Sequence, residues 1–144
     1  ALRYFNVYGP RQDPSSAYAA VIPSFATSLL AGRPPTIFGD GEQTRDFTFV
    51  GDVVEVNLLA GEVPGASGHA VNIAGGQRVS LLELHRHLAR LTGAEHVAPV
   101  HAPPRKGDVR DSLASVARAE RVLGWRPRTS LEEGLRRTVD AYRG

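Results

Sequence analysis

The residues best suited to chemistry lie in one stretch, Phe38-Gly39-Asp40-Gly41-Glu42-Gln43-Thr44-Arg45-Asp46-Phe47. Two glycines bracket Asp40, so the backbone can turn back through positive φ without a Cβ penalty. Thr36-Ile37-Phe38 enters the turn as a strand, and Arg45 to Val50 leaves it as another. The pattern is a β-turn-β excursion that presents Arg45 beside the alternating aromatics Phe47 and Phe49. A guanidinium on a rigid element suits a phosphate, because its planar fork offers two parallel hydrogen bonds. The competing reading is a weak surface ion pair with Asp46, Asp40 or Glu42.

A second charged stretch is Arg105-Lys106-Gly107-Asp108-Val109-Arg110. Gly107 lets the backbone approach a ligand closely, and charges at this density are not buried without partners. The alternative is a solvated charged loop. The histidines make no metal pattern. His85 and His87 are two apart on a helix and point to different faces, while His96 and His101 merely flank an apolar run. No zinc site is expected. Cysteine is absent, which removes thiol chemistry and disulfides and fits a cytoplasmic setting.

The elements that must hold these residues alternate between strands and helices, which makes the class α/β. Leu2 to Val7 is expected to be a strand, stopped by Gly9-Pro10. A polar loop from Arg11 to Ser16 leads to a helix over 18–31, with Val21, Ile22, Phe25, Leu29 and Leu30 as its apolar stripe. Asp52 with Glu55 reads as the N-cap of a helix over 53–60 that Gly61 ends. A strand follows at 69–73. Ser80 with Glu83 reads as a capping box for a helix over 81–92, closed by Gly93. Leu81, Leu84, Leu88 and Leu91 are its expected buried stripe. A strand is expected within 96–102. Ser115 is a candidate cap for a helix over 116–123, and Ser130 with Glu133 for a last helix over 131–142.

The chain has 144 residues, 42% hydrophobic and 22% charged, enough for one modest domain of ordinary composition. No apolar run approaches the roughly 20 residues that span a bilayer, so no membrane partner is expected. The net charge of +2 is spread along the chain, unlike the clustered basic face of a nucleic-acid binder. Ala1 is not Met and the chain opens in mid-strand, so a fragment of a longer protein is expected.

Taken together, four segments resemble the C-terminal half of the extended short-chain dehydrogenase/reductases, the NAD-dependent nucleotide-sugar epimerases and dehydratases. They are Leu2-Arg3-Tyr4-Phe5-Asn6-Val7-Tyr8-Gly9-Pro10-Arg11-Gln12, the stretch Ile37 to Phe47, Arg105 to Arg110, and the tail Ala119 to Trp125 with Ser130 to Leu135. The first of these is most similar to UDP-glucose and UDP-N-acetylglucosamine 4-epimerases. The resemblance implies that residues 1–144 are the substrate-binding part of a longer enzyme, with residues 1–10 giving a strand to its Rossmann-type dinucleotide-binding sheet. It implies a UDP-sugar substrate, NAD as cofactor, a 4-keto intermediate and a homodimer. Sibling activities, a 4,6-dehydratase or UDP-glucuronate decarboxylase, and a non-catalytic nucleotide-binding module are the alternatives.

The roles implied by the resemblance fall on individual positions. Arg45 and Arg105 would grip the diphosphate, and Asp108 would contact the nucleoside or hold its loop. Phe38 and Phe47 would wall the uracil pocket, and Ala20 and Val21 would meet the base through the backbone. Asn6 would face the sugar, and Tyr4 and Phe5 the nicotinamide. No catalytic residue is expected here: the family's Tyr-x-x-x-Lys is absent, since Lys106 is the only lysine and residue 102 is Ala. Nor does Gly39-Asp40-Gly41 make the glycine-rich dinucleotide fingerprint, because no third glycine opens a helix. Alone, the chain is expected to expose apolar faces of 2–7 and of the helix after Asp52, and to be poorly stable.

Overall fold

A computed structural model describes residues 1–15 and 21–144. The expected single strand over 2–7 is in fact two, β1 (Leu2–Tyr4) and β2 (Val7–Tyr8). Between them Asn6 takes φ 34°, a left-handed conformation that asparagine tolerates better than most residues. The break lets the chain change partners. β1 runs parallel to β6 (Val71–Ile73), and β2 runs parallel to β5 (Thr48–Phe49).

Helix α1 (Val21–Leu30) buries Ile22, Phe25, Ala26 and Leu29 on the expected stripe. The expected start of this helix before Val21, and Ala20 itself, lie outside the described residues. The arms of the β-turn-β stretch do not pair with each other. β3 (Thr36–Phe38) runs parallel to β8 (Val100–Ala102), and β4 (Thr44–Arg45) runs antiparallel to β7 (Val79–Ser80). The sequence pattern missed β7 because two residues are too short to show a period.

Helix α2 (Val50–Glu62) follows β5 without a break, so Asp52 is not its cap; Phe49 holds that place, with no side-chain bond. Asp52 instead takes N–H groups of Arg128 and Thr129 and the Thr129 hydroxyl, at 2.8–3.3 Å. The helix also passes through Gly61 rather than ending there. Helix α3 (Leu81–Thr92) has the full expected capping box and a left-handed Gly93 at its end. Of its expected stripe, Leu84 and Leu88 are buried, while Leu81 and Leu91 are half-buried and His85 and Ala89 complete the inner face. α4 (Ala117–Leu123) begins without a side-chain cap, so Ser115 does not serve. α5 (Leu131–Tyr142) has half a box: Ser130 accepts from the Glu133 N–H, but Glu133 turns to Arg136.

Two cores result. Helices α1, α3 and α5 enclose one, around Phe25, Leu29, Leu84, Leu88 and Leu135, with Tyr8, Phe47 and Phe49 on its sheet side. α2, β6 and α4 enclose the other, around Val56, Ile73, Leu123 and Trp125. Leu2 and Val7 pack against the second core, so only part of the first strand is left open. Tyr4, Val54 and Leu58 do face solvent, at 46, 55 and 66% exposure. Among the described residues no helix is long and apolar enough to cross a membrane.

Two glycines separate space from strain. A Cβ at Gly75 would overlap the Phe47 carbonyl oxygen, which is backbone and cannot step aside, whereas Gly61 has nothing within 4 Å. Urea unfolding of Gly75→Ala is expected to show a loss of roughly 1–3 kcal/mol. Gly61→Ala is expected to gain roughly 0.5–1 kcal/mol, because alanine loses less backbone freedom in a helix.

Candidate functional site

Gly39 and Gly41 do adopt positive φ, 87° and 83°, on either side of Asp40. The Asp40 carboxylate accepts from the Glu42 N–H at 3.0 Å, which closes the turn from outside. Gln43 closes it from inside: its Nε2 donates to the Phe38 carbonyl at 2.5 Å, and the residue is buried. The turn therefore delivers β4 rigidly, with Arg45 at its end.

Arg45 does not pair with Asp46, Asp40 or Glu42. It forms an ion pair with Asp108 and donates to the Thr44 and Val109 carbonyls, each at 2.7 Å. The surrounding loop is laced onto β4. The Thr44 N–H donates to the Arg110 carbonyl at 2.9 Å, the Ser112 N–H to the Thr44 carbonyl at 3.2 Å, and the Thr44 hydroxyl to Asp111 at 2.8 Å. Asp40 holds Arg110 through both carboxylate oxygens, at 2.7 and 2.8 Å. The hydrogen bond from Arg110 keeps the Asp40 carboxyl below its ordinary value.

A cavity of about 240 Å³ opens beside this arrangement. Asn6, Val21, Phe38, Arg45, Phe47, Arg105 and Asp108, which come from five separate parts of the chain, all line it. Its inner wall is apolar, from Ile22, Phe25 and Leu81. Its charged side carries two guanidiniums against one carboxylate, an excess of positive charge that favours an anion. The Arg105 guanidinium lies 4.0 Å above the Phe38 ring, so it is held without an acidic partner. Asn6 donates to the Asp46 carbonyl at 2.9 Å. Tyr4 and Phe5 do not line the cavity; the Tyr4 hydroxyl donates to Asn57 at 2.8 Å.

Tyr8, Thr36 and Gln43 line the cavity too, and the sequence pattern did not mark them. Tyr8 stands two residues after Asn6, the spacing that puts strand side chains on one face, so it was within reach of the pattern. Burial, and then the charge of Asp52, push its hydroxyl up, so it stays protonated at neutral pH. Asp46 was treated only as a salt-bridge candidate, yet it is fully buried. Its two oxygens accept from the N–H groups of Gly76 and Ala114, at 3.0 and 3.1 Å. Burial nevertheless keeps its carboxyl above the ordinary value, against the pull of these bonds.

The sequence pattern of the family described as "NAD dependent epimerase/dehydratase family" matches residues 1–74. The chain belongs to this family. A UDP-glucose 4-epimerase of Mycolicibacterium smegmatis is 46% identical over 138 residues, covering 96% of this chain and 43% of that protein. The crystal structure of a Thermotoga maritima UDP-glucose 4-epimerase with UDP-glucose is 46% identical, with a TM-score of 0.93 over 99% of this chain and 45% of that one. A Thermus thermophilus UDP-glucose 4-epimerase, in complex with NAD, is 38% identical, with a TM-score of 0.84 over 99% of this chain and 46% of that one. The epimerase/dehydratase chain thus spans less than half the length of these relatives.

β5 runs straight into α2 and β7 straight into α3, with no glycine-rich turn between strand and helix to seat a pyrophosphate. Nor do the described residues bring together three or more side chains that could hold a metal ion.

Asp46 leads to a pH prediction. A carboxyl whose folded pKa is raised stabilises the fold while it is protonated. That contribution is complete below the unfolded pKa of about 3.9 and is lost as pH rises through the folded value. The depressed carboxyls of Asp13, Asp40 and Glu83 act the opposite way, losing their contribution as pH falls. Asp46→Asn leaves those three in place. Its unfolding free energy should therefore lack the fall expected of the native chain as pH rises from the unfolded carboxyl value through the raised Asp46 value. Equal pH slopes in chemical denaturation of the two proteins would rule the raised pKa out.

Proposed function

We propose that this chain is the substrate clamp of an NAD-dependent nucleotide-sugar 4-epimerase, and that it binds a UDP-sugar by its nucleotide end. One observation carries the reading: Arg45 and Arg105 converge with Phe38, Phe47 and Asn6 on a single cavity, in a chain of this family. The relative from Thermotoga maritima, whose structure holds UDP-glucose, supports the choice of ligand.

Arg45 and Arg105 would take the diphosphate through charge-assisted hydrogen bonds. Phe38 and Phe47 would flank the uracil, and the backbone at Val21 would meet its edge. Asn6 would orient the sugar. Asp108 would hold Arg45 in place and reach the nucleoside. At about 240 Å³ the cavity is smaller than the roughly 300–1,000 Å³ of complete small-molecule sites, which suits one wall of a shared pocket. In that assembly Tyr4 and Phe5 would meet the nicotinamide. Acid/base and hydride chemistry are assigned to residues outside this chain. The chain's own part is binding energy gathered away from the reacting carbon, which fixes the sugar's position.

Arg45→Ala in the intact enzyme should weaken UDP binding by about 1.5–3 kcal/mol, the scale of hydrogen bonds to a charged group. Arg110→Ala, which removes a surface pair only, should leave UDP affinity close to native. Calorimetry showing unchanged UDP affinity for Arg45→Ala would take Arg45 out of the site. The 144-residue chain, given UDP-glucose and NAD, should show no epimerisation. Turnover by it would overturn the placement of the chemistry elsewhere.

A further inference from the structure

The loop that carries Arg105 and Asp108 has no regular structure of its own. Besides Asp40 at Arg110, three consecutive residues hold it. Arg45 binds it at Asp108 and Val109, Thr44 at Arg110, Asp111 and Ser112, and Asp46 at the Ala114 N–H. The first two attachments are surface contacts in reach of water. The third is buried, with Asp46 0% and Ala114 7% exposed. Asp46 also grips the Gly76 N–H with its other oxygen, and its carbonyl takes the Asn6 side chain.

We propose that Asp46 is a positioning residue for the nucleotide clamp. Its carboxylate fixes the Ala114 end of the loop, and so pre-orders Arg105 and Asp108 before the ligand arrives. The physical ground is entropy. Segments ordered in advance need not be ordered on binding, so the same contacts give tighter association. Asp46 touches no ligand in this scheme, and its whole effect passes through the loop. The alternative, that Asp46 only holds the fold together, predicts no special link to Arg105. The inference rests on the UDP-binding reading above.

The test is a double-mutant cycle in the intact enzyme, with UDP as probe and calorimetry as readout, at a temperature where melts show each variant folded. Asp46→Asn keeps the shape but turns an amide N–H₂ toward one of the two N–H donors. It should weaken UDP binding by about five- to tenfold, while in an Arg105→Ala background the same change should cost less than about twofold. Losses that multiply independently would overturn the positioning role, as would Asp46→Asn with native UDP affinity. A measurement without any variant stands beside these. In the native protein the Ala114, Ser112 and Thr44 amides should exchange with solvent as one unit and slow together on adding UDP. Exchange that ignores UDP would overturn the proposal even if Asp46→Asn failed to fold. Native protein that binds no UDP at all would overturn the functional reading itself, which separates the two failures.

Discussion

The kink at Asn6 is the constraint on which the arrangement of the two cores depends. The chain must leave the β6 pairing and enter the β5 pairing within two residues. Thr48 meets two of the carbonyls left at that switch: its hydroxyl donates to the Phe5 carbonyl at 2.5 Å and its N–H to the Asn6 carbonyl at 3.3 Å. Thr48 is fully buried, so neither bond competes with water. With the kink in place, β1 serves the α2–α4 core, while β2 divides between the two: Val7 packs against that core and Tyr8 lies in the α1–α3–α5 core. Asn6 and Tyr8 both line the cavity beside the first core.

Elsewhere irregular backbone is held by buried carboxylates. Asp46 and Asp52 each gather main-chain N–H groups from distant segments, Asp46 from Gly76 and Ala114 and Asp52 from Arg128 and Thr129. Burying a carboxylate is expensive, and its hydrogen bonds only partly offset the cost. The raised Asp46 pKa is the visible residue of that imbalance. Such anchors nonetheless do what a strand pair cannot: they fix a loop that has no ladder of its own.

How much of this was legible in the sequence depends on whether the cause was local. The Ser80–Glu83 box and the positive φ of Gly39 and Gly41 follow from neighbours in the chain, and they stand as expected. Seven residues expected to bind the substrate came together in one cavity because the motifs that mark them preserve side-chain chemistry as well as spacing. Asp52 shows the opposite case. With Glu55 three residues on it had the local form of a cap, but α2 begins at Val50, so Asp52 falls in the first turn instead. From there its carboxylate still favours the helix N-terminus while serving Thr129, a partner 77 residues away. The strand pairings were hidden for the same reason, since β3 finds β8 and β4 finds β7 across the chain.

The Arg45–Asp108 pair raises a question of magnitude. If the pair were strong, the guanidinium would be unavailable to a diphosphate. Its side chains are 18 and 34% exposed, so the pair lies near the surface end of the range. Pairs of that kind contribute about 0–1 kcal/mol, whereas a phosphate oxygen on a guanidinium gains about 1.5–3 kcal/mol. A ligand carrying more than one negative charge therefore wins the competition, and Asp108 need not leave. A guanidinium has five N–H donors; the Arg45 Nη1 donates to the Thr44 and Val109 carbonyls and its Nη2 to Asp108, which uses three of them. The ion pair is thus better understood as aiming Arg45 than as neutralising it. In the proposed site Arg105, held over Phe38 and among the described residues without a carboxylate partner, would supply the charge that draws the anion in.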